Sequence, residues 1–379
     1  MKFLHLSDLH LGKRLNAFSL LEDQQYMLSQ LCDIVEREQT DAVILAGDIY
    51  NKAVPSAEAV QLFDHFLSRL VQLHQNVLLI SGNHDSPERI AFGASLMESS
   101  HVHIAPVFSG TIAPVVLHDA YGEIFCWLLP FVRPAQVRPF FPDAAIGGFQ
   151  DAVQTILESL PLDPGARNLM VTHQFVAGAS LYDSGEQIIG GTDQICADLF
   201  APFDYTALGH IHRPQQVTRE NIRYSGSPLK YSLSEAPFAK TVPLVELREK
   251  GSLTVTELPL HPLRDLRRIR GTYLELTARS YYAGTAVEDY IAVTLTDEND
   301  IPDAVGKLRT IYPNLLEIGY DNQRTRDTGK ITGMEEAAAQ DPFTLFAALY
   351  AQQNHQPMLP EQEAFLRQMI QEVWEEDDA

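Results

Sequence analysis

The sequence is poor in cysteine and in long apolar segments, and each shortage excludes a class of protein. Its three cysteines, Cys32, Cys126 and Cys196, are far apart and in no CxxC spacing, so neither a disulfide framework nor a zinc knuckle is predicted. No segment reaches the ~20 consecutive apolar residues of a membrane span. Polar residues such as His5 and Asp8 interrupt the N-terminal apolar stretch, unlike a secretory signal. We therefore expect a cytoplasmic protein without membrane contact.

Positive charge is also scarce. The chain has 28 Lys and Arg against 50 Asp and Glu, which gives a formal net charge of -22. Because affinity for phosphates comes mainly from Lys and Arg that displace counterions, a general basic surface for nucleic acid is excluded. A polyanionic substrate would have to be attracted by bound cations, by a local basic patch or by a partner protein.

Short apolar runs alternate with helical patterns in residues 1–265, which predicts βα units and a layered α/β domain. The predicted helices of this part cover residues 22–38, 56–73 and 149–159. Two further segments, 106–124 and 217–260, have the pattern of β-hairpins, and we expect them to complete a second sheet.

Composition changes near residue 265, and three further regions are predicted. Residues 266–321 indicate a small α+β domain, with "TYLELTA" and "YIAVTLTD" as strands. Residues 322–340 are polar and aperiodic, as is typical of a linker. Residues 341–379 hold two amphipathic helices, which begin at Asp341-Pro342 and at Pro360. These helices either pack on their own chain or dock another protein, and the long linker favours docking.

Five apolar runs of the first domain end in side chains that can bind a metal. In an extended strand, residues i and i+2 face the same way about 6.6 Å apart, so Asp8 converges with His10, and His210 with His212. Ligands of an open α/β sheet collect beyond the carboxyl ends of its strands. Each end alone is explained by a turn, a cap or a core histidine, but the five together favour a metal site. The candidate ligands are Asp8, His10, Asp48, Asn83, His173, His210 and His212.

The mixture of donors indicates which kind of metal site this is. Seven donors exceed the four of a structural zinc site, and the absence of thiolates favours a pair of divalent ions. Two ions about 3.5–4 Å apart clamp the attacking and leaving oxygens of phosphoryl transfer. Such a pair needs a shared carboxylate, and Asp48 is our choice for the bridge.

The blocks "SDLHLG", "GDIYNKAVPS", "SGNHDS", "VTHQ" and "LGHIH" resemble, in order and spacing, the signatures of calcineurin-like metallophosphoesterases. The resemblance implies an α/β fold in which a layered β-sandwich is flanked by helices, with a small α+β capping domain and a C-terminal helical hairpin. It also implies two ions, usually manganese. One would be bound by Asp8, His10, Asp48 and His212, and the other by Asp48, Asn83, His173 and His210.

Five further residues near these blocks are candidates for catalysis or substrate binding. The resemblance makes His84 a non-ligand that faces the scissile phosphate and stabilises or protonates the leaving oxygen. Relatives commonly have Asp or His where this chain has Asn51, and an amide supports His84 less well because it adds no negative charge. Lys13, Arg14 and Arg89 either contact substrate phosphates or are solvated surface charges.

"YSGSPLKYSLSE" (residues 224–235), the small domain and the helical tail are similar to bacterial nuclease subunits of this family. They imply a manganese-dependent nuclease that trims double-stranded DNA ends, cuts single strands or hairpins, and acts in repair and recombination. Its partner would be an ATPase whose coiled coil docks the C-terminal helices. A homodimer is implied through helices at 56–73 and 89–99. The alternatives are a phosphoesterase for small substrates and a scaffold with an impaired centre.

Overall fold

The computed structural model describes residues 1–179, 194–322, 325, 342–354 and 357–377. Its strands are β1 (Lys2–Leu6), β2 (Arg14–Leu15), β3 (Phe18–Ser19), β4 (Ala42–Ala46), β5 (Asn76–Ile80), β6 (Val102–Ala105), β7 (Val115–Asp119), β8 (Gly122–Leu129), β9 (Arg167–Thr172), β10 (Tyr205–Leu208), β11 (Gln215–Val217), β12 (Arg219–Tyr224), β13 (Thr241–Leu247), β14 (Leu253–Pro259), β15 (Leu266–Gly271), β16 (Tyr290–Leu295) and β17 (Leu315–Tyr320). Its α-helices are α1 (Leu21–Glu38), α2 (Ala57–Gln72), α3 (Pro87–Ile90), α4 (Ala94–Met97), α5 (Pro134–Val137), α6 (Phe149–Glu158), α7 (Tyr273–Thr277), α8 (Arg279–Tyr282), α9 (Ala304–Arg309), α10 (Pro342–Asn354) and α11 (Pro360–Asp377).

Two six-stranded sheets form the centre of the fold. The first has the order β14-β13-β1-β4-β5-β6, and the second has the order β11-β12-β10-β9-β8-β7. In the first sheet β1, β4, β5 and β6 are parallel, and in the second sheet β8, β9, β10 and β12 are parallel. The carboxyl ends of each parallel set therefore share one edge of their sheet.

Side chains of the parallel strands alternate between two hydrophobic layers. In β4, Ile44 belongs to the core between the two sheets, whereas Val43 and Leu45 face the layer that contains α1 and α2. A third cluster joins the outer face of the second sheet to α6. All five residues of β4 are buried, as is typical of a central parallel strand. The predicted β-sandwich flanked by helices is confirmed.

Three local predictions were wrong. "TYLELTA" forms helix α7 instead of a strand, because Thr272 and Glu275 make a reciprocal capping box. The hairpin β13-β14 extends the first sheet instead of the second, since β13 pairs with β1. The helix expected at 89–99 is interrupted between α3 and α4, where Gly93 has a φ of +75°, a conformation that ends helices.

The chain divides into two compact units, Met1–Thr294 with Ile301–Gly319, and Leu295–Asp300 with Tyr320–Ala379. The predicted boundaries at 265, 321 and 340 stay predictions. Most of the predicted linker, and the predicted cap Asp341, lie outside the described residues. In the described part of the chain, no helix combines the length and apolar character needed to cross a membrane.

The second unit contains a helical hairpin formed by α10 and α11. The hydroxyl of Tyr350 lies 3.3 Å from the side-chain oxygen of Gln362, and the guanidinium of Arg367 lies 3.4 Å from the ring centroid of Phe343. These contacts join the two helices, as predicted for the tail.

Candidate metal centre

The seven predicted ligands lie just beyond the carboxyl ends of five strands. Asp8 and His10 follow β1, Asp48 follows β4, and Asn83 follows β5 in the first sheet. The other three ligands follow β9 and β10 in the second sheet. Side chains from both sheets therefore meet at one edge of the sandwich, where ligands of α/β folds collect.

One group of donors contains Asp8, His10 and His212. Their ligand atoms all lie within 4.8 Å of one another, and all three residues are buried. The Nε2 atoms of His10 and His212 are 3.1 Å apart. Nε2 of His10 also lies 4.0 Å from Oδ1 of Asp8. A cation bound between donor atoms that lie this close together would stabilise their arrangement.

A second group contains His173, Asn83 and His210, with Asp48 beside them. Nε2 of His173 lies 3.0 Å from Oδ1 of Asn83 and 3.4 Å from Oδ2 of Asp48. The same Oδ1 of Asn83 is 3.1 Å from Nδ1 of His210. Nδ1 of His173 is 2.7 Å from the carbonyl oxygen of Ala46. A hydrogen bond there leaves Nε2 of His173 as the ligand atom.

Asp48 lies between the two groups. Its Oδ1 accepts a hydrogen bond of 2.9 Å from the backbone N–H of His84. Its Oδ2 is buried and accepts no hydrogen bond within the described part of the chain. This oxygen lies 3.6 Å from Nε2 of His10 and 3.4 Å from Nε2 of His173. A buried, unpartnered carboxylate oxygen between two imidazoles fits a pair of cations. The ligand atoms of Asp8, Asp48 and His173 also lie within 4.8 Å of one another.

The electrostatics of the centre also favour bound positive charge. Burial alone would lower the pKa of His173, but the negative charges of Asp48 and Asp8 raise it to about 10. Burial alone would likewise raise the pKa of Asp48, but the charge of His173 lowers it instead. The carboxylates thus draw positive charge to a fully buried site, a role that divalent cations fulfil. Burial lowers the pKa of His10 to about 3, so its lone pairs stay available.

The backbone around the ligands is strained. Asp8, His10, Asp48 and His210 have φ values of +53°, +43°, +52° and +106°, a region that residues with a Cβ adopt at a cost. Gly82 allows a close approach, since a Cβ there would lie 2.1 Å from Oδ1 of Asp48. Strain of this kind persists where the surroundings fix a functional geometry.

His84 lies beside the centre, and Asn51 and Asp85 have different environments. The ring centroid of half-buried His84 is 5.0 Å from that of His10, and His84 belongs to neither carboxylate-histidine group. Asp85 accepts three backbone hydrogen bonds, including one from Gly82, and so has a structural role in the turn. Asn51 is half-buried, and its support of His84 stays a prediction.

The three basic residues predicted to contact substrate differ in exposure. Lys13 is half-buried, and its charge contributes to the lowered pKa of His10. Arg14 and Arg89 are exposed, and the guanidinium of Arg14 donates to the carbonyl of Ala17. A role in binding substrate stays a prediction for all three.

Sequence reasoning missed a buried ion pair next to the ligands. Oε1 of Glu235 lies 3.3 Å from Nδ1 of His212, and Oε2 of Glu235 lies 2.6 Å from Nζ of Lys240. The only signal in the sequence was the block at residues 224–235, which ends in Glu235 and is similar to nuclease subunits of the family.

Family models match two parts of the chain. Residues 1–214 match the family model described as calcineurin-like phosphoesterase. Residues 262–354 match the model described as type 5 capsule protein repressor C-terminal domain. A curated relative, the D subunit of nuclease SbcCD from Staphylococcus epidermidis, is 34% identical over 322 residues, which cover 84% of this chain and 85% of that protein.

Two solved structures also resemble the chain, both at 12% identity. TT1561 of Thermus thermophilus has a TM-score of 0.38, covering 68% of this chain and 98% of that one. Yfce, a phosphoesterase from E. coli, has a TM-score of 0.27, covering 69% of this chain and 100% of that one. Both TM-scores are too low to support an argument about fold.

Proposed function

This chain belongs to the calcineurin-like phosphoesterase family, in the branch represented by the D subunit of nuclease SbcCD, and on that premise we propose that it is a manganese-dependent DNA nuclease. It trims double-stranded DNA ends and cuts single strands or hairpins, in the cytoplasm, during DNA repair and recombination. The observation that carries the proposal is the buried Oδ2 of Asp48, which lies between His10 and His173 and accepts no hydrogen bond from the residues that the structure describes.

The ligands fall into two sets that share Asp48. Asp8, His10, Asp48 and His212 would hold the first ion, and Asp48, Asn83, His173 and His210 would hold the second. Two ions bound there supply Lewis-acid activation of water and of the phosphodiester. The donor set, rich in oxygen and imidazole and free of thiolate, suits Mn²⁺.

His84 acts on the leaving oxygen of the phosphodiester. Its backbone N–H is fixed by Asp48, and its half-buried ring lies beside the donor groups, so a bound phosphate is within its reach. An imidazole in this position donates a hydrogen bond or a proton to the departing oxygen. Asn51 lacks the charge to stabilise the protonated ring, so we expect His84 to carry a proton in a smaller fraction of molecules than in relatives with Asp there.

The C-terminal hairpin is the proposed docking site for the SbcC ATPase. Three large apolar side chains of α10 and α11, Phe346, Leu349 and Phe365, are 48%, 51% and 64% exposed, and exposed apolar groups of this kind mark interaction surfaces. The partner would also provide much of the surface for DNA, which reconciles the substrate with a charge of -22.

Homodimer formation is proposed at α2, α3 and α4. In the segments 56–73 and 89–99, Phe63, Leu70 and Ile90 are buried in the core, whereas Phe92 and Leu96 are 84% and 80% exposed. The exposed pair would be covered by a second copy. A strictly monomeric mass at micromolar concentration would contradict this assembly.

A second candidate is a phosphodiesterase for small substrates. The acidic charge of the chain favours it, because long polyanions are repelled more strongly than small esters. This candidate assigns no task to residues 266–321 or to the helical hairpin.

Cleavage of end-labelled linear duplex DNA by the purified chain tests the proposal. The reactions contain Mn²⁺, Mg²⁺ or chelator, and a parallel series contains a chromogenic small phosphodiester. We expect Mn²⁺-dependent nucleotide release from DNA. Hydrolysis of the small ester alone, with and without added SbcC, would favour the second candidate.

A further inference from the structure

The segment 225–240 supplies none of the predicted ligands but contacts the strand ends that carry them. The hydroxyl of Ser225 lies 2.7 Å from that of Ser7, which in turn donates to Asp8. The hydroxyl of Tyr231 donates to the carbonyl of Leu9. The end of β1, which carries Asp8 and His10, is therefore held by a stretch of chain outside the predicted ligands.

Glu235 fixes the ring of His212. Oε1 of Glu235 is 3.3 Å from Nδ1 of His212, so the carboxylate accepts a hydrogen bond from that nitrogen. The lone pair of His212 is then on Nε2, the atom that lies 3.1 Å from Nε2 of His10. An outer carboxylate that sets the tautomer and orientation of a ligating histidine is a common feature of metal sites.

Lys240 fixes the backbone of the same histidine. Its Nζ donates to the carbonyl of His212 at 2.7 Å, to Ser227 at 2.8 Å and to Glu235 at 2.6 Å. Lys240 and Glu235 are both buried. One ion pair therefore holds both the ring and the main chain of His212, and each charge compensates the burial of the other.

We propose that Glu235 and Lys240 are positioning residues that orient His212 for metal binding. This inference rests on the proposed two-metal centre. It identifies the residues that hold His212 in position beside His10. The competing explanation is that the pair only stabilises the fold, as buried ion pairs elsewhere do. Removing one partner would not separate the explanations, because it leaves an uncompensated buried charge and destabilises the chain.

Charge-balanced double variants separate positioning from stability. Glu235→Leu/Lys240→Met removes both charges and the acceptor for Nδ1 of His212. Glu235→Gln/Lys240→Met also removes both charges but keeps an amide oxygen that can accept from Nδ1. The matched control is Glu257→Leu/Arg223→Met, which deletes a partly buried ion pair between β14 and β12, on strands that carry none of the predicted ligands.

The measurement is Mn²⁺ binding by calorimetry on the full chain, with circular dichroism melts of the metal-free proteins. We expect Glu235→Leu/Lys240→Met to bind one of two ions about 10–100-fold more weakly. The Gln double variant should recover most of that affinity, and the control should match the unchanged chain.

Two results would overturn the inference, and they differ from the result that would overturn the proposed centre. If a folded Glu235→Leu/Lys240→Met variant bound both ions with unchanged affinity, the Glu235–Lys240 ion pair would have only a structural role. Equal weakening in the Leu and Gln variants would exclude orientation through Nδ1. If the unchanged chain did not bind two ions, that result would contradict the proposed two-metal centre itself.

Discussion

The two sides of the metal centre differ in burial. The closed side consists of Asp8, His10 and His212, of which His10 is 1% and His212 3% exposed. The open side consists of Asn83, His84 and His210, all of them half-buried. Side chains of the open side are therefore accessible to solvent, whereas those of the closed side are not. From this difference we expect substrate to approach past the loop after β5.

The hydrogen bonds and contacts around the two sides also differ. On the closed side, the buried amide of Gln24 donates to the carbonyls of His10 and Leu9 at 2.8 and 3.2 Å. On the open side, the side-chain Oδ1 of Asn83 lies 3.0 Å from Nε2 of His173 and 3.1 Å from Nδ1 of His210. Buried hydrogen bonds such as those of Gln24 restrict motion, so we expect the closed side to keep its geometry without metal better than the open side.

The largest expected effect is at Asp48, which both sides share. Asp48→Asn keeps the acceptor for the His84 N–H but removes the charge from the oxygen between His10 and His173. Loss of several kcal/mol of charge stabilisation predicts a fall in DNA cleavage of about 1,000-fold or more. Calorimetry should show weakened binding of both ions, and undiminished binding of two ions would exclude Asp48 as the bridge.

Replacement of His84 should separate catalysis from metal binding on the open side. His84→Gln is expected to lower kcat by about 10²–10⁴-fold, the usual contribution of a general acid. Mn²⁺ stoichiometry and affinity should not change, because His84 belongs to neither donor group. A variant that lost one ion would show that His84 is a metal ligand on the open side.

The structure brings the predicted ligands together because they follow strands, and their binding of metal stays a prediction. A buried parallel strand imposes an apolar run, and the polar residues directly after it stand out, as at Asp48 after "AVILA" and at Asn83 after "NVLLI". Parallel strands then bring those ends together. Glu235 was missed because it lies in a short 3-10 turn without periodicity, so only tertiary contacts reveal its neighbour His212.

The wrong predictions relied on local sequence patterns, and other interactions in the folded chain outweighed those patterns. Thr272 and Glu275 satisfy the free N–H groups of a helix start, and this outweighs the β-propensity of the residues that follow. The hairpin β13-β14 has the expected turn, but the choice of sheet depends on its pairing with β1, which is more than 200 residues away. Such long-range pairing has no local sequence signal.

Acid should weaken the core beneath the closed side through His5, three residues before Asp8. His5 is completely buried, and its Nδ1 lies 3.0 Å from the hydroxyl of Tyr205. Burial, together with the charge of Arg223, lowers its pKa to about 3 from 6.5. The unfolded chain therefore binds more protons between pH 6.5 and 3, and stability falls as the pH falls through that window.

We expect His5 to account for about 2 kcal/mol of lost unfolding free energy between pH 7 and pH 5. His5→Gln should flatten that part of the pH dependence in urea titrations of the metal-free chain. The control is His118→Gln at an exposed position, which should keep the slope. An unchanged slope in His5→Gln would place the acid sensitivity elsewhere.

The smallest effect is expected at Arg89, on helix α3 just after the open side. Its exposed side chain would contact a substrate phosphate, so Arg89→Ala should raise the DNA concentration for half-maximal cleavage a few-fold without changing Mn²⁺ binding. One lost phosphate contact should also reduce the salt slope of DNA affinity by about 1. Arg248→Ala is the control, because Arg248 is also exposed but follows β13, which runs antiparallel to β1 and so ends at the opposite edge of the sheet. An identical salt slope in the two variants would make Arg89 a solvated surface charge, and would place the path of DNA somewhere other than the open side.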